Sequence, residues 1–247
     1  MTAADGLAAT LEAVRDVPGW LSDDQAALLW SCAAGLSGAA RIVEIGSYRG
    51  RSTIVLARAA GEGVEVVAID PHAGGDRGPR QIHGDRAAGE ADHRAFEDNL
   101  ARAGVAARVR HVRRPSQQAL GAVRGEVDLL YVDGAHRYRP ARDDLARWGA
   151  RVAPGGSLLV HDAFSSVGVT LALLRLLAFG RGFRYLGRAR SLAEYRREPV
   201  AGRARVANVL RQLSQLAWFA RNLAIKLALA AGIRPLARRL GSEEWPY

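Results

Sequence analysis

From Arg41 to about Arg196 the chain alternates short apolar runs with stretches of helical period. RIVEI (41–45), VEVVAI (64–69), ARVRHV (107–112), VDLLYV (127–132) and SLLVHD (157–162) read as strands, with helices expected near 51–60, 90–103, 139–150 and 164–179. Several of the runs are continuously apolar rather than alternating, the pattern of strands covered on both faces of a mostly parallel sheet. FRYLGRA (183–189) and SLAEYR (191–196) stand too close together for a crossover helix and predict an antiparallel pair at one edge. Upstream, residues 7–17 and 22–36 read as helices, the second opened by a capping box at Ser22-Asp-Asp-Gln25. Downstream, Val206, Val209, Leu210, Leu213, Ala217, Ala220, Ala224 and Leu227 recur at helical spacing. They define an apolar face, with Arg211, Trp218, Phe219, Asn222 and Lys226 opposite. The prediction is an α/β fold, a doubly wound, mostly parallel sheet within residues 41–198. Helices at 1–40 precede it, and a basic amphipathic extension at 199–247 follows.

Composition narrows this picture. Of 247 residues 49% are apolar and 24% charged, which describes a folded chain and not a disordered one. The single cysteine, Cys32, excludes an intramolecular disulfide framework and a CxxC pair. MTAADGLAAT has neither a basic nor an apolar leader segment, and every stretch of eighteen residues carries polar or charged positions. The expected location is cytoplasmic. The net charge of +10 suggests a polyanion or an anionic surface as partner. However, residues 199–242 hold eight basic residues and no acid, so most of the imbalance belongs to the extension. Nucleic acid is not the expected partner, because these arginines are not interleaved with stacking aromatics around the candidate site. Aromatics among arginines in an amphipathic helix point to peripheral membrane contact or to a subunit contact in a homodimer or higher assembly; the alternative is a helix docked by its apolar face on its own domain, with the two rings exposed.

Chemistry concentrates at the predicted strand ends. Glu44-Ile-Gly46-Ser47-Tyr48-Arg-Gly50-Arg-Ser52-Thr53 follows the first strand and opens a helix. Glycines let backbone approach a ligand there, and the helix start offers unpaired N–H groups. The spacing is neither GxGxxG nor a Walker A motif. Asp70 ends the second strand about twenty residues on, where a carboxylate can accept from ribose hydroxyls. Asp133 and His136 follow the fourth strand, and His161 and Asp162 end the fifth. Two carboxylates and two imidazoles near a switch point suit proton abstraction or a hard divalent ion. His111, inside a strand, reads as structural, Trp148 as a helix anchor, and Asp143 and Asp144 as solvated or paired with arginines. The polar, glycine-rich stretch from His72 to His93, with His83 and Asp85, reads as a lid or a surface excursion.

EIGSYRGRST, VVAIDPH, DLLYVDGAHRY and DLARWGARVAPGGSLLVHD, in this order, resemble class I S-adenosylmethionine-dependent methyltransferases. More narrowly they are similar to the subgroup of cephalosporin-hydroxylase-like proteins and macrolide-sugar O-methyltransferases. The resemblance covers about residues 40–196 and implies a seven-stranded sheet. It implies that Gly46, Ser47, Tyr48, Gly50 and Ser52 hold the methionine part of S-adenosylmethionine, with Glu44 behind its amino group. Asp70 would hold the ribose, Ser116 and Gln117 the adenine, and Asp133 would stand beside the cofactor. It also implies a magnesium site at Asp133 and Asp162, with His161 where metal-dependent members carry an acid, and His136 as general base. The activity expected is methyl transfer to a hydroxyl of a sugar or oligosaccharide, in glycoside or polymethylated polysaccharide biosynthesis. A non-sugar natural product, a nucleic-acid-associated methyltransferase and a non-catalytic scaffold are the alternatives.

Overall fold

The computed structural model describes residues 3–75 and 83–242. Seven strands form one sheet: β1 (Arg41–Ile45), β2 (Glu65–Ile69), β3 (Val109–Val112), β4 (Val127–Val132), β5 (Val152–Val160), β6 (Phe183–Ala189) and β7 (Leu192–Arg197). Their order is β3-β2-β1-β4-β5-β7-β6. The first five run parallel, and the β6–β7 hairpin adds the antiparallel edge with β7 innermost. The predicted seven-stranded, doubly wound, mostly parallel sheet is therefore observed.

Alternation along each strand explains why both faces must be covered. Val43, Ile45, Leu130, Val132, Leu158 and Val160 enter one apolar layer, together with Trp148 and Phe164. Ile42, Val66, Leu129, Tyr131 and Leu159 enter the other, with Leu29 and Leu56. Each such side chain contributes roughly 1.5–3 kcal/mol on burial. The second layer is closed by α1 (Ala3–Ala13), α2 (Asp23–Ala34), α3 (Arg51–Ala59) and α4 (Arg86–Arg102); the first by the short α5 (Ser116–Ala119), α6 (Tyr138–Arg147) and α7 (Val167–Leu173). The capping box on α2 forms as predicted, with Ser22 and Gln25 each bonded to the other's backbone. α4 begins at Arg86, so Asp85 is its cap, accepting from Ala88 N, and the polar stretch is shorter than expected. Its segment 76–82 lies outside the described residues.

Close approach demands glycine at Gly46 and at Gly168. A Cβ on Gly46, whose φ is +87°, would stand 2.1 Å from the Asp133 carbonyl oxygen, so the β1 turn can nest against the end of β4 only without a side chain. Gly168 lets the start of α7 lie against the backbone of His136, where a Cβ would sit 2.2 Å from its carbonyl oxygen.

The extension corrects the sequence reading. It forms α8 (Gly202–Leu213), α9 (Gln215–Ala230) and α10 (Arg234–Arg239). Of the eight apolar positions expected to face the protein, none is buried, and Val206, Leu210 and Leu227 are 60–62% exposed. The opposite, polar face turns inward, and Trp218 and Phe219 pack against the core instead of facing out. Hydrogen bonding explains the inversion. Asn208 accepts from Tyr185 N at 2.8 Å and donates to Phe183 O at 3.1 Å, capping the free edge of β6. Gln212 accepts from the Tyr195 hydroxyl, Asn222 donates to Phe164 O, and Lys226 donates to Ser165 O at 3.0 Å.

Asn208→Leu should therefore destabilise the protein by roughly 2–4 kcal/mol although it adds apolar bulk, because a buried and a partly buried β6 backbone group lose their partner. Urea unfolding with an unchanged m-value would register it; a neutral result would mean that α8 does not cap the edge.

Candidate functional site

The strand order reverses between β1 and β4, and there the loops at the carboxyl ends part to form a cleft of about 370 Å³. Gly46, Ser47, Tyr48 and Ser52 line it from the β1–α3 turn, Asp70 and His72 from the end of β2, and Ser116 and Gln117 from α5. Asp133 and His136 line it from the β4–α6 loop. Pro18, Trp20 and Leu21 reach it from the α1–α2 connection, with Trp20 and Tyr48 rings 5.2 Å apart. The sequence reading missed Trp20; a Trp directly after Pro-Gly between two helices was the available signal.

Asp70 organises the turn. Its carboxylate accepts from the backbone N–H groups of Ser47 (3.0 Å), Tyr48 (2.9 Å) and His72 (2.7 Å), which leaves part of one oxygen toward the cleft. Tyr48 and His72 both sit at positive φ, sparsely populated for non-glycine residues and maintained here by those bonds. The Ser47 hydroxyl is buried beside the cleft without a partner. Gly50 opens α3 but does not line the cleft. Glu44 is also outside it, fully buried, accepting from the hydroxyls of Ser52 and Thr53 at the start of α3. Burial pushes its carboxyl up to about 8, with the two hydroxyls only partly offsetting.

At the opposite end Asp144 corrects the surface reading. It is buried, accepts from the hydroxyl of Ser116 and from Gln117 Nε2, and burial raises it to about 6. Asp143 is paired with Arg142 as expected. Trp148 is the expected anchor, buried and donating to Ser116 O.

The four groups expected to converge do so in two layers. Asp133 and His136 face the cleft, and His161 and Asp162 stand buried behind them. His136 Nε2 is 2.8 Å from Asp162 Oδ2 and 3.9 Å from Asp133 Oδ1; His161 Nδ1 is 3.1 Å from Asp133 Oδ1. The neutral Tyr131 hydroxyl donates to Asp133 Oδ2 at 2.9 Å. Burial opposes charge on every member, yet the pairings prevail. Both carboxyls are held below their ordinary range by the imidazoles, and His136 is raised to about 10 by Asp133 and Asp162. His161 is raised as well, chiefly by Asp133.

This donor set answers the magnesium expectation. Magnesium prefers six oxygens and keeps several waters. Here each carboxylate faces an imidazole, one also takes a phenol, and the rear pair is buried. The residues do not fit a hydrated magnesium ion.

Because His136 rises from 6.5 to about 10 on folding, its stabilising proton is fully bound below about pH 6.5 and lost toward 10. Glu44, raised from 4.5 to about 8, acts in the same direction over its own window. Unfolding free energy should fall steadily from pH 6 to 10, and Glu44→Gln should flatten the part below 8. A flat profile in urea melts across that range would contradict the assigned charge states.

Residues 43–163 match a family model described as a methyltransferase domain. Over 130 residues the chain is 33% identical to the catechol O-methyltransferase of Mycobacterium tuberculosis, covering 52% of this chain; the chain spans about half the length of that curated relative. Among solved structures, the O-methyltransferase NovP superposes with TM-score 0.61 at 17% identity, covering 79% of this chain and 99% of that one. An O-methyltransferase from Bacillus cereus in complex with S-adenosylhomocysteine superposes with TM-score 0.56 at 17% identity, covering 78% and 91%. No helix among the described residues is long and apolar enough to cross a membrane. The matched stretch begins inside β1 and ends just past β5, the part of the sheet that builds the cleft, and the chain has the class I methyltransferase fold.

Proposed function

We propose that the protein is an S-adenosylmethionine-dependent O-methyltransferase acting on a hydroxyl of a small-molecule or saccharide acceptor, with a sugar or oligosaccharide preferred. The observation that carries this reading is the His136–Asp162–Asp133 cluster at the wall of a switch-point cleft. The cleft also fits the cofactor. The partnerless Ser47 hydroxyl and the start of α3 suit its carboxylate, Glu44 lies behind the place for its ammonium group, Asp70 retains acceptor capacity for a ribose hydroxyl, and Ser116, Gln117 and Asp144 suit adenine.

When bound, S-adenosylmethionine supplies an electrophilic methyl on its sulfonium; the chain's own residues position the acceptor and take its proton. Trp20 and Tyr48 offer apolar ring faces at the cleft on which a sugar or aryl ring can stack. Asp162 pins the His136 ring, and Gly168 and the Ser166 hydroxyl, which donates to His136 O, fix its backbone. His136 is the general base in its neutral form, which the two carboxylates make basic but scarce at neutral pH. Methyl transfer should therefore rise with pH toward about 10. His136→Ala should lower kcat by about 100-fold or more while S-adenosylhomocysteine still binds. Asp162→Asn should move the alkaline limb to lower pH by removing the charge that raises His136. A limb unmoved by Asp162→Asn, in assays beginning with sugar acceptors, would overturn the base assignment. An aryl acceptor, suggested by the relative's name, would show as turnover of catechols and none of sugars.

A second contact is proposed for the extension, with an anionic membrane surface. Val206, Leu210, Leu227, Ile233 and Leu236 face outward from α8–α10, and Arg203, Arg211, Arg234 and Arg239 are exposed along the same helices. The absence of any acid in 199–242 disfavours self-contact of this face, since a two-fold pairing would oppose like charges. The protein should co-sediment with vesicles containing phosphatidylglycerol and not with phosphatidylcholine alone, and Leu210→Glu with Leu227→Glu should abolish this. No sedimentation, or a dimer dispersed by the same pair, would refute it.

A further inference from the structure

Three histidines outside the proposed reaction converge beneath the ribose end of the cleft. His72 follows β2, His111 lies in β3 and His93 projects from α4, and one ring nitrogen of each lies within 4.8 Å of the others. The His72 side chain is buried, and the other two are half-buried. Their rings stand 5.1, 5.0 and 5.2 Å apart between centroids. Three imidazoles around one tetrahedral ion, each nitrogen at about 2.0–2.1 Å, place their centroids about 5.2 Å apart.

The remaining hydrogen bonds orient the lone pairs. His72 Nε2 lies 2.7 Å from Tyr48 O, a carbonyl that can only accept, so the proton is on Nε2 and Nδ1 is a bare acceptor. His72 Nδ1 is buried and finds no donor. His111 bonds the backbone of Asp70 through one ring nitrogen, while its Nε2 is buried with no partner. His93 Nε2 lies 3.6 Å from Glu97 Oε1. Ring N–H groups directed to carbonyls, with the opposite nitrogens of His72 and His111 left open, are the usual outer shell of metal-binding histidines. Burial holds His111 down at about 4 and His93 below its ordinary value, so both are neutral at pH 7. Packing of the rings on Phe96 accounts for the ring contacts but not for two buried ring nitrogens without a partner.

We propose that His72, His93 and His111 form a binding site for a divalent transition metal of the zinc class, separate from the His136 cluster. Neutral imidazoles suit zinc and its neighbours, and the absence of a carboxylate among the three argues against calcium or magnesium. The ion ties the end of β2 to β3 and α4, directly behind Asp70 and the Tyr48 carbonyl. Its role is to fix the cleft floor, and it takes no part in methyl transfer.

The test is calorimetric titration of tag-free, chelator-treated full-length protein with zinc sulfate alone. A parallel cobalt titration is followed by visible absorption, which reports tetrahedral coordination. One equivalent is expected to bind and to raise the Tm of wild type. His93→Ala and, independently, His111→Gln should abolish both the binding and the Tm increase, whereas His83→Ala on the exposed loop should change neither. S-adenosylhomocysteine binding by the metal-free variants verifies that they are folded. Zinc binding that survives in His93→Ala and is lost in His161→Asn would overturn the assignment, as would wild type that binds no zinc.

Discussion

The cleft depends on one carboxylate satisfying backbone groups that the fold leaves without partners. At the end of a parallel strand the ladder stops and the next N–H groups need an acceptor. Asp70 accepts three of them, from two different loops, so the turn after β1 and the exit from β2 are held by the same side chain. With the turn fixed, Gly46 can press against the carbonyl of Asp133, and the end of β4 presents Asp133 and His136 to the cleft. Removing the acceptor would free Tyr48 and His72 from their positive-φ conformations and release the loop geometry with them.

Charge is sorted by environment across this small region. Glu44 and Asp144, buried among hydroxyls and an amide, are pushed toward the neutral form at opposite ends of the cleft. Asp162, equally buried, and the cleft-facing Asp133 both stand against imidazoles and stay ionised. The result is a wall at which paired charges sit, flanked by carboxyl groups able to hold or release a proton. Divergent environments for like groups are how one site keeps donors and acceptors distinct near neutral pH.

The sheet was legible because strands buried on both faces must be largely apolar, and β1 and β4 match their predicted bounds residue for residue. The converging site was legible for the same reason: strand ends in a doubly wound sheet meet at the switch point, and His136, Asp133, His161 and Asp162 do meet. The extension was misread because amphipathicity specifies two faces but not which one docks. Asn208, Gln212 and Asn222 bind backbone and side-chain groups of the domain, and those partners are invisible in a helical pattern. Asp143 and Asp144 were both assigned to the helix surface, although the roughly 100° between successive helical residues separates the buried one from the paired one. Trp20 and the three clustered histidines come from segments whose meeting depends on tertiary packing alone.

The most direct measurement is calorimetric titration with S-adenosylhomocysteine of wild type and Asp70→Ala. Stoichiometric binding by wild type is expected, with a loss of about 100-fold or more in affinity for the variant, since removing the carboxylate removes both the proposed ribose acceptor and the turn's anchor. Well-folded wild type that binds no S-adenosylhomocysteine, or an Asp70→Ala variant that binds as tightly, would contradict it.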